Sequence, residues 1–152
     1  MIRVSIVEIR DVLVTAGETR GLSSLEAQIV ADELIESEIS GIKTHGIEKF
    51  LVLNDSIKLR GQTPSIISET QNVIIVDGKK ELGYIAANYC INLVIPKAKQ
   101  NGVAIVGLKN SSRYGRLAPY SNAFSKEGLI GIVMNSAGPA AVAPYGSYSP
   151  VL

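Results

Sequence analysis

Apolar positions in the first sixty residues recur at helical spacing. Ser5 and Glu8 stand three apart, the spacing at which a hydroxyl and a carboxylate cap a helix reciprocally. Ile9, Val12, Leu13 and Ala16 follow on one stripe, with Gly17 placed to end it. Ser23 and Glu26 repeat the capping box. Behind them Ala27, Val30, Ala31, Leu34 and Ile35 form a second stripe, and Gly41 follows it. A third helix is predicted to start near Thr44, whose hydroxyl would cap it. Its apolar face is Ile47, Phe50, Leu51 and Ile57, and Gly61 closes it.

The period then changes. Residues 62–70 are polar, include Pro64 and read as a connection. Residues 73–76 are a β-branched apolar run ending in Asp77-Gly78, hence a buried strand and a turn. Residues 84–100 read as a helix with Ala86, Tyr89, Cys90, Leu93 and Val94 on one face. Pro96 is expected to kink or interrupt that helix, because it lacks a backbone donor. Residues 103–108 read as a strand, and residues 117–126 as a helix with Pro119 in its first turn. Residues 129–134 read as a further strand of the same sheet. The alternation predicts an α/β fold, with a helical portion over 1–61 and a strand-containing portion over 62–152. The closing stretch holds Pro139, Pro144 and Pro150 among small residues. Loops longer than about 12–15 residues are uncommon in compact domains, so the sheet is expected to continue beyond Leu152; a docked tail is the alternative.

Composition narrows the function classes. The chain is 46% apolar and 19% charged, which supports a folded core and argues against disorder. With 15 basic against 14 acidic residues and no Lys/Arg cluster, it lacks the footprint of a nucleic-acid or anionic-membrane binder. No apolar run approaches the roughly 20 residues of a membrane span, and charges interrupt the N-terminal apolar run, unlike a signal peptide. A single cysteine, Cys90, permits no internal disulfide and suits a reducing cytoplasm. One histidine and one cysteine argue against a Cys/His zinc site. No G-x-G-x-x-G, Walker loop or G-x-S-x-G elbow is present, so motif spacing alone gives only an α/β domain.

Three segments carry a resemblance. Ser40-Gly41-Ile42-Lys43-Thr44-His45-Gly46-Ile47-Glu48-Lys49-Phe50 resembles Arg-Gly-Ile-Asp-Ser-His-Gly-Val-x-Arg-Leu. Asn110-Ser111-Ser112-Arg113-Tyr114-Gly115 resembles Asn-Ser-Asn-His-Phe-Gly. Residues 129–135 with the loop over 139–146 resemble the strand and loop that come next. These are segments of the malate/L-lactate dehydrogenase family of the non-Rossmann type. Asp77-Gly78, Gly83 and the stretch around Gly102 match in order, so the resemblance covers nearly the whole chain. Family members are considerably longer, so the resemblance implies that this chain corresponds to their N-terminal part.

The resemblance implies an NAD- or NADP-dependent oxidoreductase of small 2-hydroxy and 2-oxo acids, cytoplasmic and homodimeric. Such chemistry needs a base for the hydroxyl proton, a cation for the carboxylate, and a placed nicotinamide. His45 matches the histidine lining the substrate and nicotinamide pocket; read alone it is a helix-end histidine with local hydrogen bonds. Thr44 keeps the hydroxyl of the family serine, and a plain helix cap is its alternative. Lys49 stands where an arginine faces the substrate carboxylate; it keeps the charge but not the bidentate fork, and a solvated lysine is the alternative. Arg113 occupies the position of the acid/base histidine and cannot accept a proton. Tyr114, Gly115 and Arg116 fall in the loop beside the cofactor, although Arg116 has no counterpart there. A non-catalytic homologue that binds a small carboxylate, or serves as a subunit, is the competing reading.

Overall fold

Both capping boxes form. The computed structural model describes residues 4–136 and Gly146. In it the Ser5 hydroxyl accepts from the Glu8 amide while the Glu8 carboxylate accepts from the Ser5 amide, opening α1 (Ile6–Glu18). Ser23 and Glu26 do the same for α2 (Ser24–Ile39). All five residues of the α2 stripe are buried. Gly17 does not end α1. It is buried within the helix, where a β-carbon would come 3.0 Å from that of Ala27. Its missing side chain lets α2 approach, and the turn falls to Gly21 at φ +98°. Val12 and Leu51 lie on exposed faces rather than on the apolar stripes predicted for them.

The third helix starts later than its sequence suggested. Residues Lys43–His45 form one 3-10 turn, and α3 spans Lys49–Lys58 without a side-chain cap. The polar connection holds a strand, β1 (Ser65–Glu69), which pairs antiparallel with β2 (Val73–Asp77) through an irregularity between Ile66 and Ser68. The long helix α4 (Gly83–Asn101) then crosses to β3 (Ile105–Lys109), parallel to β2, giving the order β1-β2-β3. Pro96 does not interrupt α4. Pro96 and Asn92 both face solvent, so the carbonyl that loses its donor can be hydrated. Helix α5 (Ala118–Lys126) carries its proline in the first turn, as expected.

Residues 129–134 do not join the sheet among the described residues. Their strand-like pattern instead leaves alternate side chains in solvent: Ile130 is 100% exposed, Ile132 81% and Met134 83%. Two cores result. One gathers the helices around Leu34, Phe50 and Leu82; the other packs Ile74 and Val76 of β2 against Cys90 of α4. Burial pushes the Cys90 thiol up to about 11, so it is a packing residue rather than a nucleophile.

One ion-pair network ties the helices to the sheet. Arg60, just past α3, reaches Glu26 at 2.6 and 3.1 Å, and its Nε lies 3.2 Å from Glu81. Glu81 precedes α4 and is 1% exposed. Burial works to raise the Glu26 carboxyl, but hydrogen bonds from Arg60 and Ser23 hold it below its usual range. Arg60→Met strands the Glu81 charge and should cost about 3 kcal/mol, read as a lower urea midpoint at unchanged slope. Adding Glu81→Gln should recover part of it; a loss under about 0.5 kcal/mol would mean that Glu81 does not depend on Arg60. The exposed row Ile130, Ile132 and Met134 should drive self-association at high concentration, and Ile132→Lys should reduce it. A monomeric unmodified chain in light scattering would contradict this.

Candidate functional site

Two of the three segments singled out from sequence are each held by the last turn of α2. The first, residues 43–49, leaves α2 through Gly41 at φ +77° and the 3-10 turn. Glu38 of α2 holds it. Its carboxylate accepts from the Ile47 amide at 3.1 Å, and a β-carbon on Gly46 would collide with that carboxylate. Thr44 does not cap a helix. Its hydroxyl lies 3.1 Å from His45 Nδ1, which fixes one ring nitrogen and leaves Nε2 with no protein partner among the described residues. His45 ends the 3-10 turn, four residues ahead of α3, so it does not sit in the first turn of that helix. Lys49 opens α3, is exposed, and forms no ion pair among the described residues.

The second segment is the loop after β3. The Ser112 amide donates to the Glu81 carbonyl at 3.2 Å, and the Gly83 amide donates to Ser112 Oγ at 2.9 Å. Gly83 is pressed so closely on the Ser112–Arg113 backbone that a β-carbon has no room. The loop thus rests on the start of α4. Arg113 itself is exposed and makes no side-chain contact with a polar group among the described residues. Tyr114 stacks edge-on to Tyr120 of α5 at 5.4 Å, and its carbonyl accepts from the Tyr120 hydroxyl at 2.7 Å. Gly115 sits at φ +76° against the Tyr84 ring. Arg116 points inward: its Nε donates to Ser37 Oγ at 2.8 Å and its Nη2 lies 3.7 Å from Glu36. No hydrogen bond or ion pair among the described residues joins His45 or Lys49 to Arg113; the two segments share α2 rather than each other.

Sequence reading missed Glu36, Ser37 and Glu38, the residues that hold both segments, because on a helix they look like ordinary polar positions. It also missed a cleft of about 870 Å³ at the carboxyl ends of β2 and β3, the position at which α/β sheets commonly take ligands. Its lining includes Asp55, Lys79, Lys80, Asn110 and Ser111, but none of the site residues predicted from sequence. Lys79, Lys80 and Asn110 are all held at positive φ. The hints were the Asp77-Gly78 turn and the first half of the Asn110–Gly115 motif. The Lys79 amide and the Asn110 side chain hold the Asp77 carboxyl below its usual range.

Glu33 lies beneath the second segment. Burial pushes its carboxyl up to about 7; Glu36 adds to the rise, Arg116 pulls the other way, and Asp32 adds a little more. Its folded value thus exceeds its ordinary 4.5. Between those values the folded chain keeps a proton that the unfolded chain releases, so stability falls as pH rises across that window. Glu33→Gln should flatten that fall. At pH 8 it should gain on the order of 2 kcal/mol, discounted for partial exposure, and at pH 4 almost nothing, both read by urea unfolding. Equal gains at both pH values would show that Glu33 is ionised throughout.

The malate/L-lactate dehydrogenase profile matches residues 4–152. The malate/(S)-sulfolactate dehydrogenase of Methanothermus fervidus is 36% identical in an alignment 149 residues long that covers 95% of this chain and 44% of that protein. The malate dehydrogenase of Pyrococcus abyssi is 33% identical in an alignment 137 residues long that covers 87% of this chain and 37% of the other. Among solved structures, malate dehydrogenase from Pyrococcus horikoshii superposes with a TM-score of 0.80 at 29% identity, covering 84% of this chain and 38% of that one. The chain thus spans less than half the length of these relatives. Its α/β architecture, its ordered motifs and this match make it a member of the malate/L-lactate dehydrogenase family.

Proposed function

We propose that this polypeptide supplies the N-terminal part of a dehydrogenase that moves hydride between NAD or NADP and a small 2-hydroxy or 2-oxo acid. The observation that supports this reading is that one turn of α2 holds both segments, Glu38 through Ile47 beside Thr44–His45 and Ser37 through Arg116 beside Arg113–Tyr114. His45 is the only imidazole in the chain. With Nδ1 engaged by Thr44, its Nε2 is the atom His45 presents to a substrate oxygen, while the base position is the one that Arg113 takes in the resemblance. Lys49 and Arg113, both exposed and without ion-pair partners among the described residues, are the cations available to the substrate carboxylate.

The fit to a dinucleotide is incomplete within these residues. Gly115 faces Tyr84 and Arg116 faces α2, so neither offers an open cradle. Arg113 and Tyr114 remain, with Lys79 and Lys80 of the neighbouring cleft as a second cationic anchor. The nicotinamide, when bound, supplies the hydride acceptor or donor; the residues described here orient substrate. The exposed apolar row at residues 130–134 suits burial against further protein, whether the remainder of such an enzyme or a second copy in a homodimer. No helix among the described residues is long and apolar enough to cross a membrane. Exposed Arg113, at the position of the base, also favours a second reading: a non-catalytic homologue that binds a small carboxylate.

Two measurements separate these readings. The 152-residue chain should bind NADH and NADPH more weakly than micromolar in calorimetry. Joined to the C-terminal half of a family member, it should oxidise reduced cofactor with pyruvate or oxaloacetate, and Arg113→His should raise turnover by roughly tenfold or more, since a positioned base contributes about 10²–10⁴-fold. Carboxylate binding without turnover in both joined versions would support the non-catalytic homologue. If the unmodified joined protein already matches its histidine variant, Arg113 does not stand at the base position.

A further inference from the structure

Arg116 is the one side chain among the described residues with a buried polar atom that lacks a hydrogen-bond partner there: the side chain is 9% exposed and the unpartnered atom is Nη2. A guanidinium taken out of water in this way is costly unless neighbouring charge offsets it. The charges that face it come mostly from α2: Glu36 at 3.7 Å, Glu33 close enough to feel its field, and the Ser37 hydroxyl at 2.8 Å. Asn122 of α5 donates to the same Glu36 oxygen at 3.3 Å. Ser37 is itself buried, and its hydroxyl donates to the Glu33 carbonyl at 2.8 Å, so the acceptor offered to Arg116 is fixed in direction.

We infer that Arg116 is a positioning residue: turned onto α2, it fastens the Arg113–Tyr114 loop to the same helical turn from which Glu38 holds the Thr44–His45 segment. The fastening follows from geometry alone. Its meaning for a reaction rests on the dehydrogenase reading. Arg116 lies three residues from Arg113, and the intervening chain is confined by Gly115 against Tyr84 and by the Tyr114–Tyr120 contact. Without the guanidinium, the loop's tether to α2 is gone, while those at Ser112 on Glu81 and Gly83 and at Tyr114 on Tyr120 remain.

The test is trypsin cleavage after Arg113 in the folded 152-residue chain, at one pH, against a Val30→Ala control that lowers global stability without touching the loop. Arg116→Met should speed that cleavage at least tenfold over the control. Ser37→Ala, which removes only the Nε acceptor, should speed it about threefold, and Arg116→Lys should fall between Met and the unmodified chain. A second readout follows the charge itself. Because Arg116 pulls the Glu33 titration down, carbon NMR of the Glu33 carboxyl should show its midpoint move higher in Arg116→Met and much less in Arg116→Lys. Cleavage within twofold of the control in both Arg116→Met and Ser37→Ala, or a Glu33 midpoint that does not move, overturns the inference. If Arg116→Met does not fold, the Ser37→Ala cleavage rate decides it. In the joined full-length protein, Arg116→Met should lower kcat tenfold with a smaller change in KM. Faster cleavage with unchanged kcat and KM would leave the fastening intact and overturn the reading of the loop as catalytic.

Discussion

The buried carboxylate of Glu81 constrains this structure more than any single apolar contact. A carboxylate that is 1% exposed needs a cation, and Arg60 supplies it from the far end of α3. The same guanidinium forks onto Glu26, which already closes the capping box of α2. Three elements distant in sequence therefore meet at one charge centre. The consequence runs on toward the site. Glu81 also accepts from the Leu82 amide through its side chain, and from Ser112 through its carbonyl. Fixing Glu81 fixes the start of α4, and the start of α4 seats the loop that carries Arg113.

Helix α2 is the second organising element. Its N-terminal half is bound to Arg60, and its last turn presents Glu36, Ser37 and Glu38 to the two site segments. Successive residues on a helix point about 100° apart, so adjacent positions can grip segments on different sides of its axis. The buried stripe from Ala27 to Ile35 holds the helix against α1 and prevents that turn from drifting. Stability and site geometry thus draw on the same sixteen residues.

How legible this was in the sequence depended on whether the determining partner lay nearby. Ser5–Glu8 and Ser23–Glu26 announce α1 and α2 because both members of each pair are three residues apart. Strand β1 was invisible because Ser65, Ser68 and Glu69 sit on an edge strand that is mostly exposed, where no apolar alternation is required. Residues 129–134 erred the other way: they carry a buried strand's continuous apolar run, but no strand partner for them lies among the described residues. His45 and Arg113 stood out through their motifs. Ser37, Glu38 and Arg60 did not, since each matters only through a partner reached by folding.

The loop after β3 shows how backbone freedom decides which cation is available to chemistry. Arg113 and Arg116 are chemically identical and three residues apart, yet one is exposed and the other is buried on α2. Between them Gly115 adopts φ +76°, a conformation that L side chains rarely adopt. A β-carbon there would also come 2.8 Å from the Tyr84 ring, which is itself fixed in the helical core. Gly115 therefore serves the loop's path: it turns the chain sharply enough for Arg116 to reach Ser37 and Glu36 of α2 while Arg113 stays in water. Any larger residue at 115 would have to displace Tyr84 or surrender the left-handed turn, and in both cases the path that parts the buried arginine from the exposed one would change.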